Sequence, residues 1–312
     1  MSFASKAVRT KPMIRVKVPA TSANLGPGFD CLGMALQLYN TITVELDRPF
    51  KISLTGSYCD GIPADEKNLV WKTMCHFWEL IHFPTPSVSL TFENHIPPAR
   101  GLGSSSAAIV GGLVAANTLA GSPYSKYQLL QVANALEGHP DNVTPALYGG
   151  VTLSIPTAEG ILARVLAQSP NLKAVVVIPT TRLNTEKARG ILPPQVTRND
   201  AVFNISHVGL LVEAFIRADY SLLTEGMRDV LHQNQRAVLL PGMLEAIESA
   251  LKVGAYGAAL SGSGPTLIAL IAESSQQEVS QSMITTLGQY EVNAQAIVLG
   301  IDSCGATSTI TL

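Results

Sequence analysis

The densest set of chemically useful residues lies at 97–107, which read PPARGLGSSSA. Gly101 and Gly103 carry no Cβ, so the backbone there can turn sharply and come close to a ligand. Ser104, Ser105 and Ser106 then open the run 107–120, made largely of Ala, Gly and Val, which reads as a buried helix. The start of a helix presents unpaired N–H groups and the positive end of the helix dipole, a combination that favours phosphate. Serine hydroxyls add donors to phosphate oxygens and oxygen ligands for a magnesium ion. The pattern is neither of the two common phosphate-loop strings. No Gly-Lys-Ser/Thr appears, and serines fill the later positions of G-x-G-x-x-G. Taken alone, a Gly-Ser run before an apolar helix also suits an ordinary cap.

Other polar groups stand in turn-like surroundings, and each has two readings. Residues 19–33 (PATSANLGPGFDCLG) place Asn24 and Asp30 among turn formers, as capping groups or as ligand contacts. Residues 137–143 (EGHPDNV) bring Glu137, His139 and Asn142 together. Glu137 reads as a surface charge or as a hard oxygen ligand of the kind magnesium prefers beside nucleotide phosphates. His139 reads as a loop residue satisfied by backbone. Thr185 and Arg189 are four apart and share a face if that turn is helical. Arg236 ends the stretch 229–236, and lone arginines of this kind are most often solvated. Residues 254–265 (GAYGAALSGSGP) read as a glycine turn between two apolar strands, with Gly262 at the turn.

The elements that must position these groups follow from hydrophobic period and turn residues. Residues 14–18 alternate as a strand with one buried face, and 19–33 is expected to interrupt it. Strands are expected at 41–46, 50–54, 87–92 and 148–154, and helices at 69–83, from 103, and at 125–136. Composition shifts near 169–172. Beyond it the spacing predicts a buried strand at 174–178, a Pro-rich loop at 193–194, and helices at 201–217, 221–231 and 241–251. A strand–turn–strand at 257–272, a helix at 278–287 and a strand at 294–299 complete the chain. This order is not the strict alternation of a doubly wound sheet, and the second half suits an α+β sandwich.

Bulk composition narrows the partners. The 312 residues are 46% hydrophobic and only 14% charged, which suits two domains that bury much of themselves. A net charge of −2 gives no electrostatic reason to expect nucleic acid or an anionic membrane surface. No stretch has the length and apolarity of a membrane span or secretory signal. Cys31, Cys59, Cys75 and Cys304 are scattered, without metal-ligand spacing, and read as reduced thiols in the cytoplasm.

With these motifs in order, the chain resembles the GHMP kinases, whose nucleotide loop has the form P-x-x-x-G-L-G-S-S-[SA]-A. Residues 97–107 match that form completely, and 254–265 resemble the third GHMP motif. Residues 19–33 resemble the N-terminal signature of the homoserine kinase branch. The resemblance runs from about residue 13 to 307. It implies an α+β, two-domain GHMP kinase fold after a frayed tail at 1–12. The first domain, 13–168, is a mixed α/β ATP-binding domain with a left-handed βαβ crossover, and 169–312 form a ferredoxin-like α+β domain.

The implied activity is phosphorylation of L-homoserine by ATP, a step of threonine biosynthesis. ATP phosphates fall to Pro97, Pro98, Ala99, Arg100, Gly101, Leu102, Gly103, Ser104, Ser105, Ser106 and Ala107, with Asn68 near the adenine. Mg2+ falls to Glu137 and Ser105. Asn24 and Asn142 aim the acceptor hydroxyl, Asp30 meets the ammonium, and Arg189 and Arg236 meet the carboxylate in bidentate fashion. His139, Thr185 and Gly262 lie beside the substrate, and Asn142, Glu137 and Asn24 form the catalytic set. Dimers are common in the family, and a homodimer stands beside a monomer as an open assembly.

One departure matters. Mevalonate-type relatives carry a proposed catalytic Asp where this chain has Asn142, and an amide cannot take the hydroxyl proton. A loose phosphoryl-transfer transition state needs little early deprotonation, so positioning and charge neutralisation can suffice. Whether any residue acts as base is open. Two alternatives stand beside this reading: a GHMP kinase for mevalonate or shikimate, which lack the ammonium that Asp30 suits, and a catalytically silent nucleotide-binding relative.

Overall fold

The computed structural model describes residues 13–311, so the tail expected at 1–12 lies outside the described residues. Strand β1 (Met13–Asn24) alternates buried and exposed residues from Ile14 to Val18, then is buried on both faces. The expected interruption at residue 19 does not occur. Ala20, Thr21, Ser22 and Ala23 are small enough to be covered from both sides, so the strand continues without alternation. Pro19 is accommodated where the register with β2 (Gly28–Leu46) shifts. A turn of three residues, 25–27, joins the two strands.

The 19-residue β2 is shared between partners. Its residues 41–46 pair with β4 (Val88–Asn94) and its residues 32–34 with β5 (Val151–Thr157). β3 (Lys51–Gly56) lies parallel to β4, and α1 (Leu69–Leu80) makes the crossover between them. The first sheet has the order β11-β1-β2-β4-β3, where β11 is the last strand (Thr307–Thr311), with β5 on β2 and β6 (Gly160–Ala167) on β5.

Helix α2 (Ser104–Leu119) is buried along nearly its whole length, as its small residues allow, and Trp78 of α1 donates its indole N–H to the Ala116 carbonyl. Helix α3 (Lys126–Glu137) starts at a capping box between Ser125 and Gln128 and stops at Gly138, which is left-handed at φ 89°. His139 and Pro140 immediately begin a further helix, α4 (Pro140–Tyr148), with proline in its first turn. That helix was not anticipated from the sequence.

The second sheet is antiparallel with the order β10-β7-β9-β8, made of β7 (Lys173–Pro179), β8 (Gly257–Leu260), β9 (Leu267–Ile271) and β10 (Ala294–Gly300). Helices α5 (Thr185–Gly190), α6 (Arg198–Arg217), α7 (Leu223–Gly226), α8 (Gln233–Arg236) and α9 (Met243–Lys252) lie between β7 and β8 in the chain, and α10 (Gln276–Gln289) lies between β9 and β10. This is the ferredoxin-like arrangement. Val175 and Val177 of β7 face a core with Met243, Ala250, Val279 and Met283, while Ala174, Val176 and Ile178 join the main core of the first sheet. A strand covered on both faces explains the unbroken apolar run there. The last strand, β11 (Thr307–Thr311), returns to the first sheet and pairs with β1.

The helix expected over 221–231 is replaced by a 3-10 turn and the four-residue α7. Past Gly226 the chain wraps around Asp229. The Asp229 carboxylate accepts from the N–H groups of Leu231, His232 and Gln233 and from the Asn204 amide of α6. A buried carboxylate that gathers four donors outweighs helix propensity. No helix among the described residues is long and apolar enough to cross a membrane, and all four cysteines are free.

Candidate active site

Three loops meet where the two sheets approach each other, and hydrogen bonds stitch them together. The Gly262 N–H donates to the Ala23 carbonyl at 3.1 Å. The Ser261 hydroxyl contacts both the Ser22 hydroxyl at 2.9 Å and the Gly101 carbonyl at 2.6 Å. The phosphate-loop candidate is thereby locked to the end of β1 and to the β8–β9 turn. Gly101 and Gly103 have φ of 75° and 67°, and a Cβ at either would strike a neighbour, at 2.2 Å from the Ser261 carbonyl oxygen and 1.9 Å from the Thr21 hydroxyl. Arg100 anchors the outer side of the loop by donating to the Pro179 and Thr180 carbonyls.

A cleft of about 460 Å³ opens between these loops and the α5–α8 region. At one end lies the glycine-serine loop, running into α2. Ser105 and Ser106 donate to the two oxygens of Glu137 at 2.9 and 2.6 Å. Glu137 is the last residue of α3, where a negative charge opposes the helix dipole. Its placement therefore does not serve the helix.

Asn142 stands in the first turn of α4. Its Oδ1 accepts from the Thr21 hydroxyl at 2.7 Å and its Nδ2 approaches Asp141 at 3.4 Å, which sets the orientation of the amide. Asp141 is buried and takes the His139 ring at 2.8 Å, raising the His139 pKa.

The other end of the cleft carries the charges. Asp30 adopts a left-handed φ of 59° on β2, and its two oxygens accept from Arg189 of α5 at 2.6 and 2.9 Å. This pairing raises the Arg189 pKa. Arg236 of α8 is only 2% exposed; it donates from Nε to the Ala188 carbonyl and from Nη1 to the Gly262 carbonyl. Burial, and then Arg189, push its pKa down to about 10. The Phe29 ring contacts both arginines, with its centroid 5.5 Å from the Arg189 guanidinium and 5.4 Å from that of Arg236. Asn24 is 3% exposed, donates to the Gly262 carbonyl and accepts from the Asp30 N–H.

Comparison with known proteins gives this cleft its context. The GHMP kinases N terminal domain matches residues 68–150, and the GHMP kinases C terminal family matches 211–288. The homoserine kinase of Desulfitobacterium hafniense is 56% identical over 294 residues, 94% of this chain and 99% of that protein. That of Microchaete diplosiphon is 43% identical over 95% and 97%. The chain belongs to the homoserine kinases of the GHMP family. The solved homoserine kinase of Cytophaga hutchinsonii superposes with a TM-score of 0.86 at 30% identity, covering 99% of this chain and 100% of that one.

Within this GHMP fold most residues singled out in the sequence converge. Asn24, Asp30, residues 99–105, Glu137, His139, Asn142, Thr185, Arg189, Arg236 and Gly262 all line the cleft. Ser106 does not line it but reaches Glu137 with its hydroxyl. Pro97, Pro98 and Ala107 are not part of the lining. Asn68 is also absent from it: its oxygen caps α1 at Val70 and Trp71, and its amide donates to the Pro63 carbonyl. That side chain is committed to the helix start.

Sequence reasoning missed Thr21, Phe29, Asp141, Leu183, Asn184 and Ser263. Asn184 carries a local signal, as the N-cap of α5. Thr21 acts across 121 residues of chain and had none.

Proposed function

We propose that this chain transfers the γ-phosphoryl group of ATP to the side-chain hydroxyl of L-homoserine, giving O-phospho-L-homoserine and ADP. The observation that carries the reading is one cleft with a glycine-serine helix start at one end and, at the other, a carboxylate and two arginines. A zwitterionic amino acid needs both signs of charge, and a nucleotide needs the loop.

In this reading Gly101 to Ser106 take the phosphates through backbone N–H groups and hydroxyls. Arg189 and Arg236 take the substrate carboxylate, since guanidinium matches it at two points. Asp30 takes the ammonium, and Asn142, its amide set by Thr21 and Asp141, aims the hydroxyl. Asn24 acts less as a direct contact than as the tie between Asp30 and the β8–β9 turn, because both ends of its amide are engaged.

The residues present suit magnesium. Among the described residues no three His, Cys, Asp or Glu side chains gather as a metal cage, and Glu137 sits with two serine hydroxyls at the head of α2. One carboxylate and hydroxyls beside phosphate oxygens is the donor set this ion favours, so Glu137 and Ser105 would hold it. Bound there, magnesium neutralises charge on the transferring group. The rest of the catalysis is positioning by the chain's own residues.

The four free thiols suit a reducing, cytoplasmic setting. A homodimer is the proposed assembly, to be checked by sedimentation. The test of the activity is a coupled ADP-release assay with magnesium and ATP, comparing L-homoserine, mevalonate, shikimate, L-serine and no acceptor. Turnover confined to L-homoserine is expected. Turnover with mevalonate or shikimate instead would discard the zwitterion site and keep the phosphate loop.

A further inference from the structure

Beneath the arginine end of the cleft lies an imidazole that no step above uses. His232 is fully buried at the start of α8. Its Nε2 lies 2.8 Å from the Gly26 carbonyl oxygen, and a carbonyl only accepts, so the ring proton sits on Nε2. Nδ1 therefore keeps its lone pair, and it faces Arg236 Nη1 at 3.2 Å. A guanidinium only donates. The neutral ring thus satisfies both of its nitrogens at once, whereas a charged ring would set one N–H against another.

Arg236 is held at Nε by the Ala188 carbonyl and at Nη1 by the Gly262 carbonyl and His232, which leaves Nη2 outside these contacts. The Phe29 ring lies against both residues, with its centroid 5.2 Å from the His232 ring. Among the described residues, His232 is the one side chain that accepts from Arg236. It also ties the arginine, through Gly26, to the 25–27 turn that leads into Asp30.

We propose that His232 is a positioning residue for the substrate carboxylate: it receives one N–H of Arg236 and holds the guanidinium so that Nη2 is presented to the cleft. This rests on the reading of Arg236 as a carboxylate contact. Without the acceptor the guanidinium loses its fixed plane, and ground-state binding of the amino acid suffers before chemistry does.

The test compares His232→Leu, His232→Asn and His232→Gln in steady-state assays, alone and in an Arg236→Ala background. Asparagine sets an amide oxygen near the place of Nδ1 and so keeps an acceptor for Arg236. Glutamine sets an amide nitrogen near the place of Nε2 and keeps only the bond to Gly26. A hydrogen bond to a charged group predicts a rise of about 10-fold or more in the L-homoserine KM for the Leu and Gln variants. The Asn variant raises it least, and the ATP KM and kcat move much less throughout. In the Arg236→Ala background the His232 exchanges add nothing further, because the pair acts as a unit.

An equal rise with and without Arg236, or an Asn variant no better than Gln, overturns the proposal. Should the Leu variant fail to fold, the Asn and Gln pair decides it. If Arg236→Ala itself leaves the L-homoserine KM unchanged, the carboxylate reading fails and takes this proposal with it. If that variant raises KM while His232→Gln does not, the positioning role alone fails.

Discussion

Asp30 and Arg189 hold each other through two parallel hydrogen bonds, at 2.6 and 2.9 Å, across the line where the two sheets meet. The two side chains are 35% and 36% exposed, so solvent screens the pair and it adds little to folding stability. Its importance is recognition: a zwitterion offers each partner the charge it already seeks, and a ligand lacking the ammonium offers Asp30 nothing in exchange. Replacing Asp30 by Asn is expected to raise the L-homoserine KM by about 10- to 100-fold, the value of a charge-assisted bond. Discrimination against 4-hydroxybutanoate, which has the hydroxyl and carboxylate alone, should fall in parallel. The ratio of kcat/KM for the two acceptors measures this, and an unchanged ratio would remove Asp30 from the ammonium site.

Glu137 offers a test at the opposite end. Glu137→Gln keeps the shape and an acceptor for one serine but removes the charge. The expected outcome is a loss of turnover of at least about 10-fold at fixed magnesium, partly restored as magnesium is raised. Chelation of the metal should abolish turnover in the wild type. A Gln variant with an unaltered magnesium dependence would place the ion elsewhere.

Gly103 joins backbone conformation to the reacting groups. At φ 67°, a Cβ there would lie 1.9 Å from the Thr21 hydroxyl and 3.1 Å from Asn142 Oδ1. Gly121 has φ 81° and nothing within 4 Å of the same position. Gly121→Ala should therefore cost only the left-handed strain of ~1–2 kcal/mol. Gly103→Ala should cost more and should also lower kcat by displacing Asn142. Urea denaturation and turnover of both variants provide the comparison. Equal effects on stability with intact turnover would mean that the Thr21–Asn142 contact does not orient the amide.

These cases also explain what the sequence disclosed. The loop at 97–107 was legible because left-handed backbone and close approach demand glycine at particular positions, and Ile14 to Val18 because one face is wet. The stretch 20–23 is opaque for the opposite reason: covered on both sides, it shows no alternation, and its small residues look like those of a turn. Residues 221–231 carry apolar spacing compatible with a helix, but Asp229 draws in three following N–H groups and Asn204 from α6. Nothing local announces that. Asn68 shows why a single side chain is ambiguous in sequence: a capping asparagine and a ligand asparagine look alike until the helix start is seen, and here the amide caps α1. Thr21 acts on Asn142, 121 residues away in the chain, and His232 is anchored at Gly26, 206 residues away, so folding alone brings each to its place.

Two histidines, the buried His232 and the part-buried His139, should give stability a maximum near pH 6.5. His139 donates to Asp141, and this bond, opposed in part by burial, raises its pKa above the ordinary 6.5. The folded state then holds a proton that the unfolded chain releases, so this contribution is full below 6.5 and is lost as pH rises through the folded value. His232 is the opposite case: burial holds its pKa below 6.5. Its contribution is full above 6.5 and is lost as pH falls toward the folded value, because the unfolded chain gains the proton first. Each residue alone can tilt the curve by at most about 1.4 kcal/mol per pH unit. Denaturation of the wild type between about pH 5 and 8 should show both limbs. His232→Asn should flatten the acid limb and Asp141→Asn the alkaline one. An acid limb that survives His232→Asn unchanged would mean that groups other than His232 carry it, and that burial of the neutral ring adds nothing to stability in this range.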